Sequence, residues 1–256
     1  MENMAENDDL PVGNIFSRRE MLVLFGAAGA AFLSACAPQL GGIPRLGGAV
    51  AAGTPVAVAG CIVTPAQTEG PYFVDEKLNR SDIRSDPADG TLSAGSPLQL
   101  VLRVSQVGSN SCTPLAGALV DVWHCDAQGV YSDVNDPSGS TKGKQFLRGY
   151  QTTDAKGAAQ FTTIYPGWYP GRAVHIHFKV RSDPTTSQGF EFTSQLFFDD
   201  TFTDQVYTQA PYASRGQRNT RNANDNIFSG VGDQMIAAVK QDGAGYTATF
   251  DIGVMT

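Results

Sequence analysis

The residues with the clearest chemical potential lie in one stretch, Tyr165-Pro166-Gly167-Trp168-Tyr169-Pro170-Gly171-Arg172-Ala173-Val174-His175-Ile176-His177-Phe178. A Pro/Gly-rich turn leads there into a strand. Successive side chains of a strand point to opposite faces, so His175 and His177 share one face, roughly 6.7 Å apart. That spacing lets two imidazoles converge on one metal, while Ile176 and Phe178 point the other way into apolar packing. The 256-residue chain has only three histidines, so the pair is informative. Two ordinary strand histidines are the plain alternative. Zinc, copper and iron all accept imidazole, and the pair alone does not choose among them. Tyrosines nearby sharpen the choice, because a phenolate is a hard anionic donor that favours a trivalent ion. The third histidine, His124, falls on the core side of its own strand. No carboxylate stands at facial-triad spacing and no cysteine pair stands at zinc spacing.

The elements that must position this stretch are strands. From Pro97 onward the chain proposes them repeatedly: Leu98–Val104, Ala118–His124, Phe146–Thr152, Ala158–Thr163, His175–Val180, Thr193–Phe198 and Tyr246–Val254. Turn signals such as Asp126-Ala127-Gln128-Gly129, Asp154-Ala155-Lys156-Gly157 and Asp242-Gly243 separate them. Short strands at this spacing, with 28 Gly and 14 Pro, predict a mainly β protein, a sandwich or barrel with long loops and few helices. One helix is expected over Val231–Lys240, with Met235, Ile236 and Val239 as its apolar stripe. Residues 200–228 read as a long loop region anchored by Tyr207, Tyr212 and Phe228.

With those segments placed, the chain resembles the intradiol ring-cleavage dioxygenases, the family of catechol and protocatechuate dioxygenases. The resemblance runs from about Cys61 to the Thr193–Phe198 strand. It rests on Thr64-Pro65-Ala66-Gln67-Thr68-Glu69-Gly70-Pro71-Tyr72, on Pro114-Leu115-Ala116-Gly117-Ala118 with Val120-Asp121-Val122-Trp123-His124, on Gly129-Val130-Tyr131-Ser132, and on Tyr169 to His177, in that order. It implies a β-sandwich of the intradiol type and a non-haem iron(III) held by Tyr131, Tyr169, His175 and His177. It implies that a catechol binds as a dianion and displaces Tyr169, whose freed phenolate accepts a substrate proton. Arg172 would stabilise charge developing on the substrate, and Gln195 would hydrogen-bond near the ring. Tyr72 and Trp168 would line the catechol pocket. Both atoms of O2 would enter a cis,cis-muconate-type product. Two departures limit transfer. The long N-terminal helical segment that cytoplasmic catechol dioxygenases use to dimerise is not evident, and only five residues separate Tyr169 from His175.

The N-terminal region reads as an address. Ser17-Arg18-Arg19-Glu20-Met21-Leu22 followed by a fifteen-residue apolar run resembles a twin-arginine export signal, and Leu33-Ser34-Ala35-Cys36 resembles a lipobox that would lipidate Cys36. Residues 1–35 are therefore expected to be a signal peptide, 36–60 an Ala/Gly/Pro/Val-rich tether and 61–256 the folded domain, periplasmic or at the cell surface. Loss of residues 1–35 takes away two arginines and five acidic side chains, moving the net charge from −7 to −4. Nothing in that balance suits nucleic acid, and no apolar run is long enough to span a bilayer. Membrane contact would come only through a lipid on Cys36. The partners implied are a small aromatic diol and O2, with a homo-oligomer left open. An oxidising compartment permits a Cys61–Cys112 disulfide, leaving Cys125 a buried thiol. The main rival is a non-catalytic sandwich: Ala118–Gly129 and Thr153–Ala158 also resemble transthyretin-like or carboxypeptidase-regulatory surface modules. An exported zinc or copper enzyme using His124, His175 and His177 is a second rival.

Overall fold

The computed structural model describes residues 62–109, 111–136, 139–183 and 189–256. The signal, lipobox, tether and Cys61 expectations lie outside those residues.

Strand formation follows alternation of side chains. In β1 (Pro97–Val107), Leu98, Leu100, Leu102 and Val104 are fully buried while Gln99 and Arg103 face solvent. Each such aliphatic side chain stabilises the fold by roughly 1.5–3 kcal/mol. After β1 come β2 (Cys112–Pro114), β3 (Leu119–Trp123), β4 (Asn135–Asp136), β5 (Gly139–Ser140), β6 (Arg148–Thr152), β7 (Ala158–Ile164), β8 (His175–Arg181), β9 (Glu191–Phe197), β10 (Ala238–Asp242) and β11 (Gly245–Val254). One sheet runs β10-β11-β1-β2, with β7 also paired along β1. The other runs β6-β3-β8-β9, and β4-β5 form a small hairpin. β1 and β11 are parallel, and every other pairing is antiparallel.

The inner faces of the two larger sheets share one core. Val120, Val122, Ile176, Phe178 and Val180 meet Leu100, Phe161, Phe250 and Ile252 there, and the rings of Phe178 and Phe250 lie 5.8 Å apart. The strand expectations and the β-sandwich class hold, with ends shifted by one to three residues.

The outer face of β6-β3-β8-β9 carries the chemistry. Register places Arg148 opposite Trp123, Trp123 opposite His177, and His177 opposite Gln195. One row of side chains therefore crosses all four strands. Further along β8 on the same face come Lys179 and Arg181, as the two-residue period requires. The segment before β1 covers this face. Lys179 pairs with Glu69 and Glu191 and lies 4.0 Å from the Phe73 ring centroid, while Arg181 pairs with Asp75 and Asp121.

The expected helix over Val231–Lys240 is absent. A 3-10 turn occupies Gly232–Met235, Ala237 N–H donates to the Phe197 carbonyl, and β10 pairs with β11 with Val239 opposite Ala248. The stripe of Met235, Ile236 and Val239 fits helical spacing, but the edge of β11 offers unpaired backbone groups. The Asp242-Gly243 turn, with Gly243 at φ 58°, folds the segment back onto them as a hairpin. Residues 200–228 hold more order than a loop: α1 (Asp200–Val206), capped by Asp199, 3-10 turns at Tyr212–Arg215 and Asn222–Asn224, and α2 (Asn226–Ser229), which begins in this stretch. The anchors behave as expected. Tyr212 and Phe228 are buried, and Tyr207 stacks on Tyr212. Cys112 is disulfide-bonded, and Cys125 is a buried free thiol.

Candidate metal centre

Three separate pieces of chain bring four side chains together. Strand β8 supplies His175 and His177. The Pro170-Gly171 turn before it supplies Tyr169, with Gly171 at φ 87°. The tight turn Asp126–Gly129 supplies Tyr131: Asp126 Oδ1 accepts from the N–H groups of Gln128 and Val130, and Gly129 sits at φ 80°. The Tyr169 hydroxyl lies 3.2 Å from His175 Nε2, the Tyr131 hydroxyl 3.5 Å from it, and His177 Nε2 3.1 Å from it. Two phenol oxygens and a second imidazole nitrogen thus gather within 3.5 Å of His175 Nε2.

The surroundings fix these groups. His175 Nδ1 lies 2.6 Å from the Ala173 carbonyl. A carbonyl only accepts, so Nδ1 carries the proton and Nε2 presents its lone pair inward. Trp123 stacks on His177 at 4.9 Å and 8°. Tyr72 stacks on Tyr131 at 4.4 Å and meets Tyr169 edge-on, so it roofs the centre. A Cβ on Gly70 would stand 3.4 Å from the His177 ring. Burial, then the neighbouring Tyr169 charge, raises the Tyr131 phenol. Burial also raises Tyr169, with Arg172 acting against it. Burial depresses both histidines, and Arg172 adds to it for His175 and His175 for His177.

This donor set fits a hard trivalent cation. Two neutral imidazoles face each other across 3.1 Å, and bare lone pairs at that distance repel unless a proton or a metal ion lies between them. Two buried phenols with raised pKa values need a strong positive charge beside them to ionise. The zinc or copper rival with His124 fails on geometry. His124 Nδ1 is 2.8 Å from the Cys125 carbonyl and Nε2 2.7 Å from Thr163 Oγ1, so both ring nitrogens are engaged elsewhere. Among the described residues, no group of three or more His, Cys, Asp or Glu side chains could hold a metal.

A sequence model of the dioxygenase family matches residues 68–242. The chain belongs to the intradiol ring-cleavage dioxygenases. It is 29% identical over 163 residues to catechol 1,2-dioxygenase 1 of Acinetobacter lwoffii, covering 54% of this chain and 49% of that protein. It is 29% identical over 150 residues to chlorocatechol 1,2-dioxygenase of Pseudomonas putida, covering 51% and 52%. The chain thus spans about half the length of these curated relatives. Among solved structures, the intradiol ring-cleavage dioxygenase of Tetranychus urticae superposes with a TM-score of 0.65 at 28% identity, over 76% of this chain and 95% of that one. The dioxygenase domain of a dioxygenase carbohydrate-binding protein fusion from Streptomyces sp. SirexAA-E gives 0.52 at 30% identity, over 76% and 99%.

Within this intradiol dioxygenase the remaining expected site residues divide. Arg172 and Gln195 stand together: Arg172 donates from one terminal nitrogen to Gln195 Oε1 at 2.6 Å, and Gln195 Nε2 donates to the Thr68 carbonyl at 3.0 Å. Gln195 therefore links the arginine to the segment that carries Tyr72. Trp168 packs instead against the main core, apart from the aromatic cluster of Trp123, Tyr131, Tyr72 and Tyr169, with Arg215 over its ring. Sequence reasoning missed Trp123, the flat wall behind His177. Its place directly opposite His177 depends on strand register, which the linear sequence does not display. Asp225 was missed as well. It is fully buried, and its Oδ2 accepts from Arg172 Nε at 2.9 Å and the Ala173 N–H at 2.7 Å. Burial pushes this carboxyl up, but Arg172 and the backbone N–H groups outweigh it and hold it below the usual range.

Proposed function

We propose that this intradiol dioxygenase is an exported, iron(III)-dependent enzyme that cleaves catechol-type rings between the two hydroxyl-bearing carbons, giving cis,cis-muconate-type diacids. The convergence of the Tyr131 and Tyr169 hydroxyls and His177 Nε2 on His175 Nε2 carries this reading. Tyr131, Tyr169, His175 and His177 would hold a ferric ion, whose charge would supply the acidification of the diol and the withdrawal of electron density from its ring.

The protein's own groups divide the remaining work. Tyr131 is fully buried and clamped under Tyr72, so it is the permanent ligand. Tyr169 is only partly buried and sits on a turn, so it is the one that can swing aside. Swung aside as phenolate, it would take a proton from the catechol, because a phenol whose pKa burial has raised is a strong base when ionised. Arg172 holds positive charge beside the centre, and in a water-poor site such a preorganised cation stabilises anionic character that develops on the substrate. Tyr72 packs against the substrate ring, while Trp168, packed on the main core, is not assigned a contact with it. A transthyretin-like binding module has no use for such a convergence of buried donors.

Export is part of the proposal. The paired arginines at Arg18-Arg19 and the Leu33–Cys36 lipobox support it, and the disulfide at Cys112 suits an oxidising compartment. Twin-arginine export carries folded protein, so iron would load before secretion. Cys61 is the proposed partner of Cys112. Residues 61–256 are the proposed catalytic domain on a tether from a lipidated Cys36.

Oxygen uptake by the iron-loaded protein against a panel of substituted catechols tests the reaction, with the products identified. Muconates are expected, and a yellow semialdehyde would contradict the mechanism. A visible tyrosinate-to-iron(III) band is expected to weaken or vanish in Tyr131→Phe and in Tyr169→Phe. Retention of the full band in both variants rejects the ligand assignment.

A further inference from the structure

We propose that Asp225 is a positioning residue of the centre, holding the Arg172 guanidinium and, through the Ala173 peptide, the His175 ring. The inference rests on the roles given above to Arg172 and His175.

Asp225 comes from the start of α2, far along the chain from the Pro170-Gly171 turn. A plain N-cap uses one side-chain oxygen to accept from the first free N–H groups of a helix. Here Oδ1 does that alone, accepting from the N–H groups of Ile227 at 2.8 Å and Phe228 at 3.0 Å. Capping makes no use of Oδ2. That oxygen accepts from Arg172 Nε at 2.9 Å and from the Ala173 N–H at 2.7 Å. Asn or Ser would cap α2 adequately, so the second oxygen and its charge need another explanation, and Arg172 supplies it.

The contact is directional. A guanidinium is a planar fork, and fixing two of its nitrogens fixes its plane. Asp225 holds Nε and Gln195 holds one terminal nitrogen at 2.6 Å. Ala173, the residue whose N–H Asp225 takes, accepts from His175 Nδ1 through its carbonyl at 2.6 Å. One buried carboxylate thus sets both the cation of the site and the peptide that aims a ligand ring.

The test uses two variants and catechol as the probe. Asp225→Asn keeps an oxygen for the cap but turns an NH2 toward the donors of Arg172 and Ala173. Asp225→Ser also caps α2 and leaves both donors unpaired. Each is expected to lower kcat roughly 10- to 100-fold, the scale of a misplacement near 1 Å, with KM changed less than about threefold. In an Arg172→Gln background the same substitutions should cost severalfold less, because only the contact through Ala173 to His175 is then left to lose. An equal loss with and without Arg172 overturns the proposal. A second readout needs neither iron nor turnover. In the iron-free wild-type protein labelled with 15N-arginine, the Arg172 Nε–H, assigned by its loss in Arg172→Gln, should exchange slowly. Fast exchange there overturns the pairing whatever the variants do. If the wild type consumes no oxygen with any catechol, the reaction assignment fails, while the exchange measurement still decides the Asp225–Arg172 contact.

Discussion

Lowering the pH from 7 to 5 should destabilise the iron-free protein by up to about 4 kcal/mol. His124, His175 and His177 are all buried, and burial depresses each below its ordinary value of 6.5, His124 to about 4. The unfolded chain therefore binds up to three protons that the folded chain refuses, and stability must fall as pH drops through 6.5. Between pH 7 and 5 each histidine contributes roughly 1.9 kcal/mol to that loss, since one pKa unit corresponds to about 1.36 kcal/mol. Two carboxylates work the other way: Asp126, which burial raises against its backbone N–H bonds, and Asp121. Burial raises Asp121 to about 6, against the nearby Arg181, so it takes up a proton in the folded state first and returns roughly 1.3 kcal/mol over the same window. Asp75, Asp82 and Asp225 are held below their ordinary value of 3.8 and do not titrate there. The net loss follows from three histidines against two aspartates. Urea unfolding of the iron-free protein at both pH values, with the dependence on urea concentration checked for constancy, measures it. His124→Asn should remove about a third of the histidine contribution. Equal or greater stability at pH 5 would refute the claim that the imidazoles are buried as neutral donors.

Two further perturbations probe how the site is held. Lys179→Met removes the buried cation that ties Glu69 and Glu191 together beneath Phe73. Because both carboxylates reach solvent, a loss of roughly 1–3 kcal/mol is expected, less than for a fully buried pair. The freed Glu69–Asp75 segment should raise KM for catechol while leaving the tyrosinate band in place. Unchanged melting and KM would show that the clasp is idle. Gly129→Ala puts a methyl group against the Trp168 carbonyl at φ 80°, a conformation that disfavours a Cβ. At least about 2 kcal/mol of destabilisation is expected from strain and clash together, with a weaker visible band as the Tyr131 and Tyr169 turns are pushed apart. A stable variant with the full band would refute this.

The alternation of Leu98, Leu100, Leu102 and Val104 was enough to place β1, because a two-residue period against solvent has one structural meaning. His175 and His177 were paired on one face by the same rule, and the ordered segments around Tyr131 and Tyr169 marked the remaining donors. The stretch Val231–Lys240 misled because Met235, Ile236 and Val239 satisfy helical spacing, and only the open edge of β11 selects a strand there. Linear order could not show that Trp123 lies across from His177, that Gln195 bridges Arg172 to Thr68, or that Asp225 supplies a second oxygen to Arg172. Those relations arise from strand register and from chain segments that meet only after the sandwich closes. Residue type and local period are properties of neighbours along the chain, so sequence alone determined most of the longer strands and the chemistry of the donors. Distances among four side chains, and the charges that steady them, depend on long-range packing, so only the tertiary structure decided that the two hydroxyls and His177 converge on the His175 ring.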